Sequence, residues 1–158
     1  QVGAGYKNIP AWLREGMSTL AEVYPNPEYD RFLMDAVARD ALIPMLDLCD
    51  SFSPNSDSAF LAYAQSRSFT NYLRGQYGSD GLMNLAAIYA NGVDCERGPE
   101  RAFGVSFAKL ERDWRTSVLG QNDLASTLGR FAPYLVLLCL VVLMPLIGVI
   151  GAMRKKTN

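Results

Sequence analysis

The stretch Pro10-Ala11-Trp12-Leu13-Arg14-Glu15-Gly16 opens the first predicted helix and points to the fold of this 158-residue chain. Proline suits the first turn of a helix because its missing N–H would have no helical partner there. The helix is expected to end before residues 25–27, Pro-Asn-Pro, which cannot continue it. Trp12 and Gly16 indicate that this helix packs closely against a neighbouring element.

Helix follows helix after this stretch, and the alternation typical of strands is missing from the sequence. The predicted segments are a helix over about 28–41, a short helical turn and loop over 45–55, a helix over about 58–77 that stops at Gly78, and a helix capped by Ser79 or Asp80 that ends at 91–92. A fifth helical region opens at Pro99, is weakened at Gly104 and restarts from Ser106. The sequence therefore predicts a small all-α lobe.

The core of this lobe is predicted from apolar spacing and from the aromatic residues. Leu82, Leu85, Ala86 and Tyr89 fall on one helical stripe. Val118 is expected to face inward with Phe107, Leu110 and Trp114. The aromatic side chains predicted to be core are Trp12, Tyr24, Phe32, Phe60, Phe69, Tyr72, Phe107 and Trp114.

Several separate motifs carry a family resemblance. Besides residues 10–16, they are the run Leu61-Ala62-Tyr63-Ala64-Gln65-Ser66 with Phe69 and Tyr72-Leu73, the Tyr77-Gly78 stop, and the closing Leu110-Glu111-x-x-Trp114-Arg115. Together they make roughly residues 9–119 resemble the gluzincin zinc metallopeptidases, especially the peptidase-MA-like branch. The matching part is the helical lobe that follows the zinc-binding His-Glu-x-x-His helix in that family.

The resemblance implies roles for two residues. Glu15 stands where the family has its third zinc ligand, and Tyr63 is the candidate for stabilising a tetrahedral oxyanion. The chain contains no histidine, so the two zinc histidines and the general base are missing from it. No cofactor is therefore expected in this chain, and zinc only if an upstream His-Glu-x-x-His segment is supplied. Thr19 replaces the acidic residue that orients a ligand histidine in several gluzincins.

Both residues also have a purely structural interpretation. Glu15 would then be a buried or capping carboxylate, and Tyr63 a core aromatic whose hydroxyl is satisfied locally. The same holds for Gln65, Ser66 and Arg67, which form no catalytic motif without a base or a bound anion.

An uncharged apolar segment near the C-terminus predicts a membrane span. As a helix, Pro133 to Met153 would extend about 31 Å, the thickness of a hydrocarbon core. We therefore expect a single transmembrane helix over 132–153. Pro145 could kink it, and Gly148 with Ala152 could let another helix approach.

Charge sets the expected orientation and excludes one class of partner. Arg154, Lys155 and Lys156 follow the span, which favours a cytoplasmic tail over 154–158 and an extracytoplasmic lobe over 1–119, joined by a linker over 120–131. Residues 1–129 carry 11 lysines and arginines against 16 aspartates and glutamates, a formal charge of −5. Such a lobe is a poor nucleic-acid binder. The chain starts at Gln1 without a signal peptide, so upstream sequence is expected in the gene.

Cys49 and Cys95 are the two cysteines outside the predicted span. In an oxidising compartment they are expected to form a disulfide, and the alternative is two separately buried thiols.

Two functions follow from the sequence. The first is the C-terminal portion of a membrane-anchored, extracytoplasmic, zinc metallopeptidase-like protein that is inactive as the chain stands. The alternative is a non-catalytic accessory subunit that docks by its single span onto a larger membrane complex. The expected partners are the lipid bilayer and either the protein's own N-terminal portion or other subunits.

Overall fold

The computed structural model describes residues 5–24, 26–52 and 56–120. Every regular element in these residues is helical, in agreement with the predicted all-α lobe. The α-helices are α1 (Ala11–Leu20), α2 (Glu28–Ala38), α3 (Ser56–Ala90), α4 (Gly98–Phe103) and α5 (Phe107–Ser117), and two 3-10 turns cover Tyr6–Asn8 and Met45–Leu48.

The long helix α3 is two helical segments joined at Gly78. This glycine has φ 73° and ψ 177°, a backbone conformation that side chains disfavour. The predicted stop at Gly78 is therefore confirmed. Gly104 also has a left-handed φ of 70°, and it separates α4 from α5 as predicted. The Ser106 hydroxyl then caps α5 by accepting a hydrogen bond from the Lys109 backbone N–H at 3.4 Å.

The second helix is shorter than predicted. It ends at Ala38 instead of continuing to residue 41. Asp40 has a φ of 51°, in the left-handed region, so the helix cannot pass through it.

Trp12 lies at the centre of the core and is fully buried. Its ring contacts Phe69 at a centroid distance of 5.1 Å and Phe107 at 5.9 Å, so α1, α3 and α5 meet around it. The predicted stripe of Leu82, Leu85, Ala86 and Tyr89 is buried as well.

Two core predictions are wrong, and two further predicted core residues, Phe32 and Phe60, are half-buried and contact each other outside the main core. Tyr24 is 90% exposed, because α1 ends at Leu20 and leaves Tyr24 in the following loop. Val118 is 48% exposed, because it lies just past the end of α5, where Leu119 is the buried residue instead.

The predicted span over 132–153, with Pro133, Pro145, Gly148 and Met153, lies outside the described residues. The predicted linker beyond residue 120 and the predicted tail over 154–158 lie outside them as well. None of the helices within residues 5–24, 26–52 and 56–120 has the length and apolar character needed to cross a bilayer.

Candidate functional site

A cavity of about 300 Å³ lies beside the first helix. Three segments form its wall: the start of α1, the loop after the Met45–Leu48 turn, and the first turns of α3. The lining residues from these segments are Ala11, Arg14 and Glu15, then Ser51 and Phe52, then Ala59 and Tyr63. The two residues singled out by the family resemblance, Glu15 and Tyr63, therefore line one cavity.

The close packing of α1 on α3 brings these two residues to the same cavity. A Cβ added at Gly16 would overlap the Thr70 hydroxyl and lie 2.5 Å from the Ser66 carbonyl oxygen. Only glycine allows this approach, since real side-chain atoms do not come so near. Trp12, one turn earlier, anchors the same face of α1 in the core.

A disulfide holds the loop that follows the Met45–Leu48 turn. Cys49 and Cys95 form a disulfide with their Cα atoms 6.1 Å apart, so the predicted pairing is confirmed. The Cys49 carbonyl accepts a hydrogen bond from the Ala11 backbone N–H at 2.9 Å. The disulfide thus fixes the Cys49 segment to the loop before α4, and the hydrogen bond joins the start of α1 to that segment, which continues into Ser51 and Phe52.

Glu15 lies on a half-buried flank of α1 and not in the core. Its side chain is 26% exposed, and Oε1 accepts a hydrogen bond from Arg14 Nε at 3.1 Å. The Arg14 guanidinium in turn lies over the Tyr6 ring, 5.6 Å from its centroid. The carboxylate faces the cavity but has a cationic neighbour of its own.

Tyr63 forms the opposite side with Phe52. Their rings meet edge to face, with centroids 5.1 Å apart and planes at 83°. Tyr63 is partly buried. The catalytic role of Tyr63 and the metal-binding role of Glu15 remain predictions.

Tyr29 on α2 lies close enough to interact electrostatically with Tyr63. Burial raises the pKa of the Tyr29 phenol, and Glu22 and Tyr63 raise it further, while Arg67 opposes them. Tyr29 therefore stays protonated at neutral pH and can donate a hydrogen bond on this side of the lobe.

Thr19 has a structural role. Its hydroxyl donates to the Glu15 and Gly16 carbonyl oxygens, at 3.0 Å in each case, and its side chain is buried. The hydroxyl that stands in place of an acidic side chain is therefore used within α1 itself.

The chain by itself does not supply a zinc site. A catalytic zinc takes three protein ligands, commonly including two histidines, and this sequence contains no histidine. Across the described ranges, histidine, cysteine, aspartate and glutamate side chains nowhere form a group of three that could hold a metal ion. Glu15 could be at most one ligand of such a site.

Sequence reasoning missed one residue of the cavity wall and one buried polar contact in the lobe. Arg14 adjoins Glu15 in the sequence, but nothing in the linear pattern shows that it lines the same cavity and pairs with Glu15. Gln65 had no assigned role, yet its buried amide donates to the Ile43 carbonyl at 2.8 Å and accepts from the Ile43 N–H at 2.9 Å. This pair of bonds fixes the segment between α2 and the Met45–Leu48 turn.

The family model of the Peptidase MA superfamily matches residues 2–120, which include the whole described lobe. No curated protein and no solved structure matches the chain.

Proposed function

Since the chain belongs to the Peptidase MA superfamily, we propose that its lobe is the C-terminal, α-helical side of a gluzincin-like metallopeptidase cleft. Glu15 would be the third metal ligand, and the Tyr63 hydroxyl would stabilise an oxyanion by donating a hydrogen bond. The observation that supports this most is that these two residues, from separate helices, line one cavity.

The other half of the site must come from residues outside these 158. With no histidine in the sequence, the remaining metal ligands and the general base have to be supplied by another segment or another chain. The chain as it stands would therefore be inactive as a peptidase.

A second candidate function is a non-catalytic accessory subunit. It is favoured by the ion pair of Glu15 with Arg14 and by the two backbone hydrogen bonds of Thr19. Both arrangements suit a lobe that does not position a metal, because the Glu15 carboxylate and the Thr19 hydroxyl find their partners within the lobe.

We also propose that residues 132–153 anchor the protein in a membrane, with the lobe extracytoplasmic and residues 154–158 cytoplasmic. The support is the uncharged apolar stretch and the three basic residues after it. A disulfide in the lobe suits an oxidising compartment.

Metal analysis of the protein made from the complete reading frame that contains these residues tests the peptidase proposal. The expected result is one zinc per chain and cleavage of a peptide substrate, with both lost in Glu15→Gln. Glu22→Gln is the matched control, since Glu22 is an exposed carboxylate just past α1. Unchanged zinc content in Glu15→Gln would contradict the assignment. A metal-free, inactive full-length protein would leave the accessory-subunit function as the conclusion.

Protease accessibility tests the topology. Protease added outside intact cells should digest the lobe and leave an epitope placed after Asn158 intact. Digestion of the epitope with protection of the lobe would reverse the proposed orientation.

A further inference from the structure

The most exposed apolar side chains of the described residues lie just past the end of α1 and on α3. Tyr24 is 90% exposed and Val23 is 84% exposed in the turn that follows α1, and Met83 is 59% exposed on α3. The other large apolar side chains counted as exposed there are between 40% and 53% exposed: Tyr6, Met34, Leu46 and Val118. Apolar surface that gathers in one place on a lobe marks a surface for a partner.

An apolar groove connects Met83 to the end of α1. Its volume is about 190 Å³, and the residues that line it are Met17, Leu20, Ala21, Arg74, Ser79, Leu82 and Met83. Ala21 is the C-cap of α1, and Val23 follows it by two residues. The exposed turn therefore starts at the edge of this groove, and we call the groove together with Val23 and Tyr24 the α1-end surface.

The charges beside the α1-end surface select among lipid headgroups. Glu22 precedes Val23, Asp80 follows Ser79, and both carboxylates belong to exposed residues. Arg74, in the groove lining, is exposed as well. Carboxylates and a guanidinium together suit a zwitterionic headgroup, whereas the carboxylates would be repelled by the negative potential of an anionic leaflet.

The proposed anchor keeps a bilayer within reach of the lobe. Residues 121–131 separate the lobe from the proposed span over 132–153, and such a linker can extend at most about 40 Å. A folded lobe of this length has a radius of gyration of about 14 Å. The linker is therefore long enough for any face of the lobe to approach the membrane, and the chemistry of the surface decides which face does.

We propose that the lobe rests on the bilayer through the α1-end surface, with Val23 and Tyr24 inserted among the headgroups of zwitterionic lipids. Tyrosine suits this depth because its ring is apolar while its hydroxyl still finds hydrogen-bond partners there. The stem of Arg74 can cover apolar surface while its guanidinium reaches a lipid phosphate. The inference rests on the proposed membrane anchor and is independent of the proposed metal site.

The test is the fluorescence of the full 158-residue chain reconstituted in vesicles of phosphatidylcholine that is brominated near the headgroup end of its acyl chains. Bromine quenches indoles that touch the lipid, and the native Trp12 and Trp114 are fully buried, so they give a constant background. Tyr24→Trp and Met83→Trp are the reporters. Met34→Trp is the matched control, since Met34 is 53% exposed but lies on α2, which is outside the groove lining.

Both reporters should be quenched at least about twofold more than the control, because an interfacial side chain lies at the boundary between headgroups and acyl chains. Val23→Asp in the Met83→Trp protein should remove the difference. Phosphatidylserine mixed into the vesicles should reduce it, because Glu22 and Asp80 repel anionic lipid.

Equal quenching of the reporters and the control would overturn the proposal. A Tyr24→Trp emission that is shifted to the blue but unquenched would overturn it too, since a second copy or another protein would then cover this surface. Stronger quenching with phosphatidylserine would overturn the choice of zwitterionic lipid. Flotation of the same vesicles separates the two failures: protein that does not float refutes the anchor as well, and protein that floats without quenching refutes this inference alone.

Discussion

The contact between α1 and α3 at Gly16 should control both the stability of the lobe and the geometry of the cavity. In Gly16→Ala the new methyl group would overlap Thr70 Oγ1 and lie 2.5 Å from the Ser66 carbonyl oxygen and 2.9 Å from Thr70 Cβ. The hydroxyl can rotate, but the carbonyl belongs to the α3 backbone. The two helices must therefore separate, which also moves Glu15 away from Tyr63.

The expected loss follows from two opposing terms. Overpacking a well-packed core costs about 1–3 kcal/mol, and the upper end applies because one of the overlapping atoms is backbone. Alanine regains about 1 kcal/mol over glycine in helix propensity. The net destabilisation should be about 2 kcal/mol, which lowers the Tm by at least about 4 °C.

Thermal and urea unfolding, followed by near-ultraviolet circular dichroism of the buried tryptophans, measures this effect. Gly75→Ala is the matched control: it is exposed on α3, and a Cβ there meets nothing within 4 Å. That variant should gain stability. Adding Thr70→Ala to Gly16→Ala should recover only part of the loss, since the Ser66 carbonyl remains. A Gly16→Ala protein as stable as the wild type would refute the reasoning.

Three further predictions concern the groups that hold the lobe together. Gln65→Leu should cost about 1–2 kcal/mol and speed amide exchange at Ile43, because it leaves the partly buried N–H and carbonyl of Ile43 without their side-chain partner; unchanged exchange would contradict this role. In urea unfolding, the free energy of unfolding of the double variant Cys49→Ser, Cys95→Ser should be lower than that of the disulfide-bonded wild type by about 4 kcal/mol, the chain-entropy value for a sequence separation of 46. A difference below about 1 kcal/mol would contradict this prediction. Burial strongly raises the pKa of the Tyr89 phenol in the folded lobe, so the protonated phenol stabilises the lobe fully below the unfolded pKa of about 10 and this stabilisation is lost as the pH rises above that value. The Tm should therefore fall at alkaline pH, and Tyr89→Phe should reduce that fall.

Most of the helix ends could be predicted from local sequence. Gly78 and Gly104 stand where the backbone must adopt a left-handed φ, and Ser106 supplies its own cap. Such signals are local, because they depend on one residue and its immediate neighbours. The break at Asp40 could not be predicted in the same way, because aspartate tolerates a positive φ but does not require one.

The side-chain environments were harder to predict. Tyr24 and Val118 look like core residues in the linear pattern, yet each lies just beyond the end of a helix and points to solvent. A shift of one or two residues in a helix end moves a side chain out of the buried stripe, since successive residues turn by about 100°. Composition alone could not reveal this.

The sequence by itself determined the all-α class and the positions of the main breaks between helices, because these depend on local backbone preferences. It also predicted the pairing of Cys49 with Cys95, since the lobe has only two cysteines. Only the tertiary structure decided that Glu15 and Tyr63 line one cavity and that Arg14 pairs with Glu15 there. The physical reason is that this arrangement depends on how closely α1 approaches α3. That distance is set by Gly16 against Ser66 and Thr70, a contact between residues about fifty positions apart in the sequence.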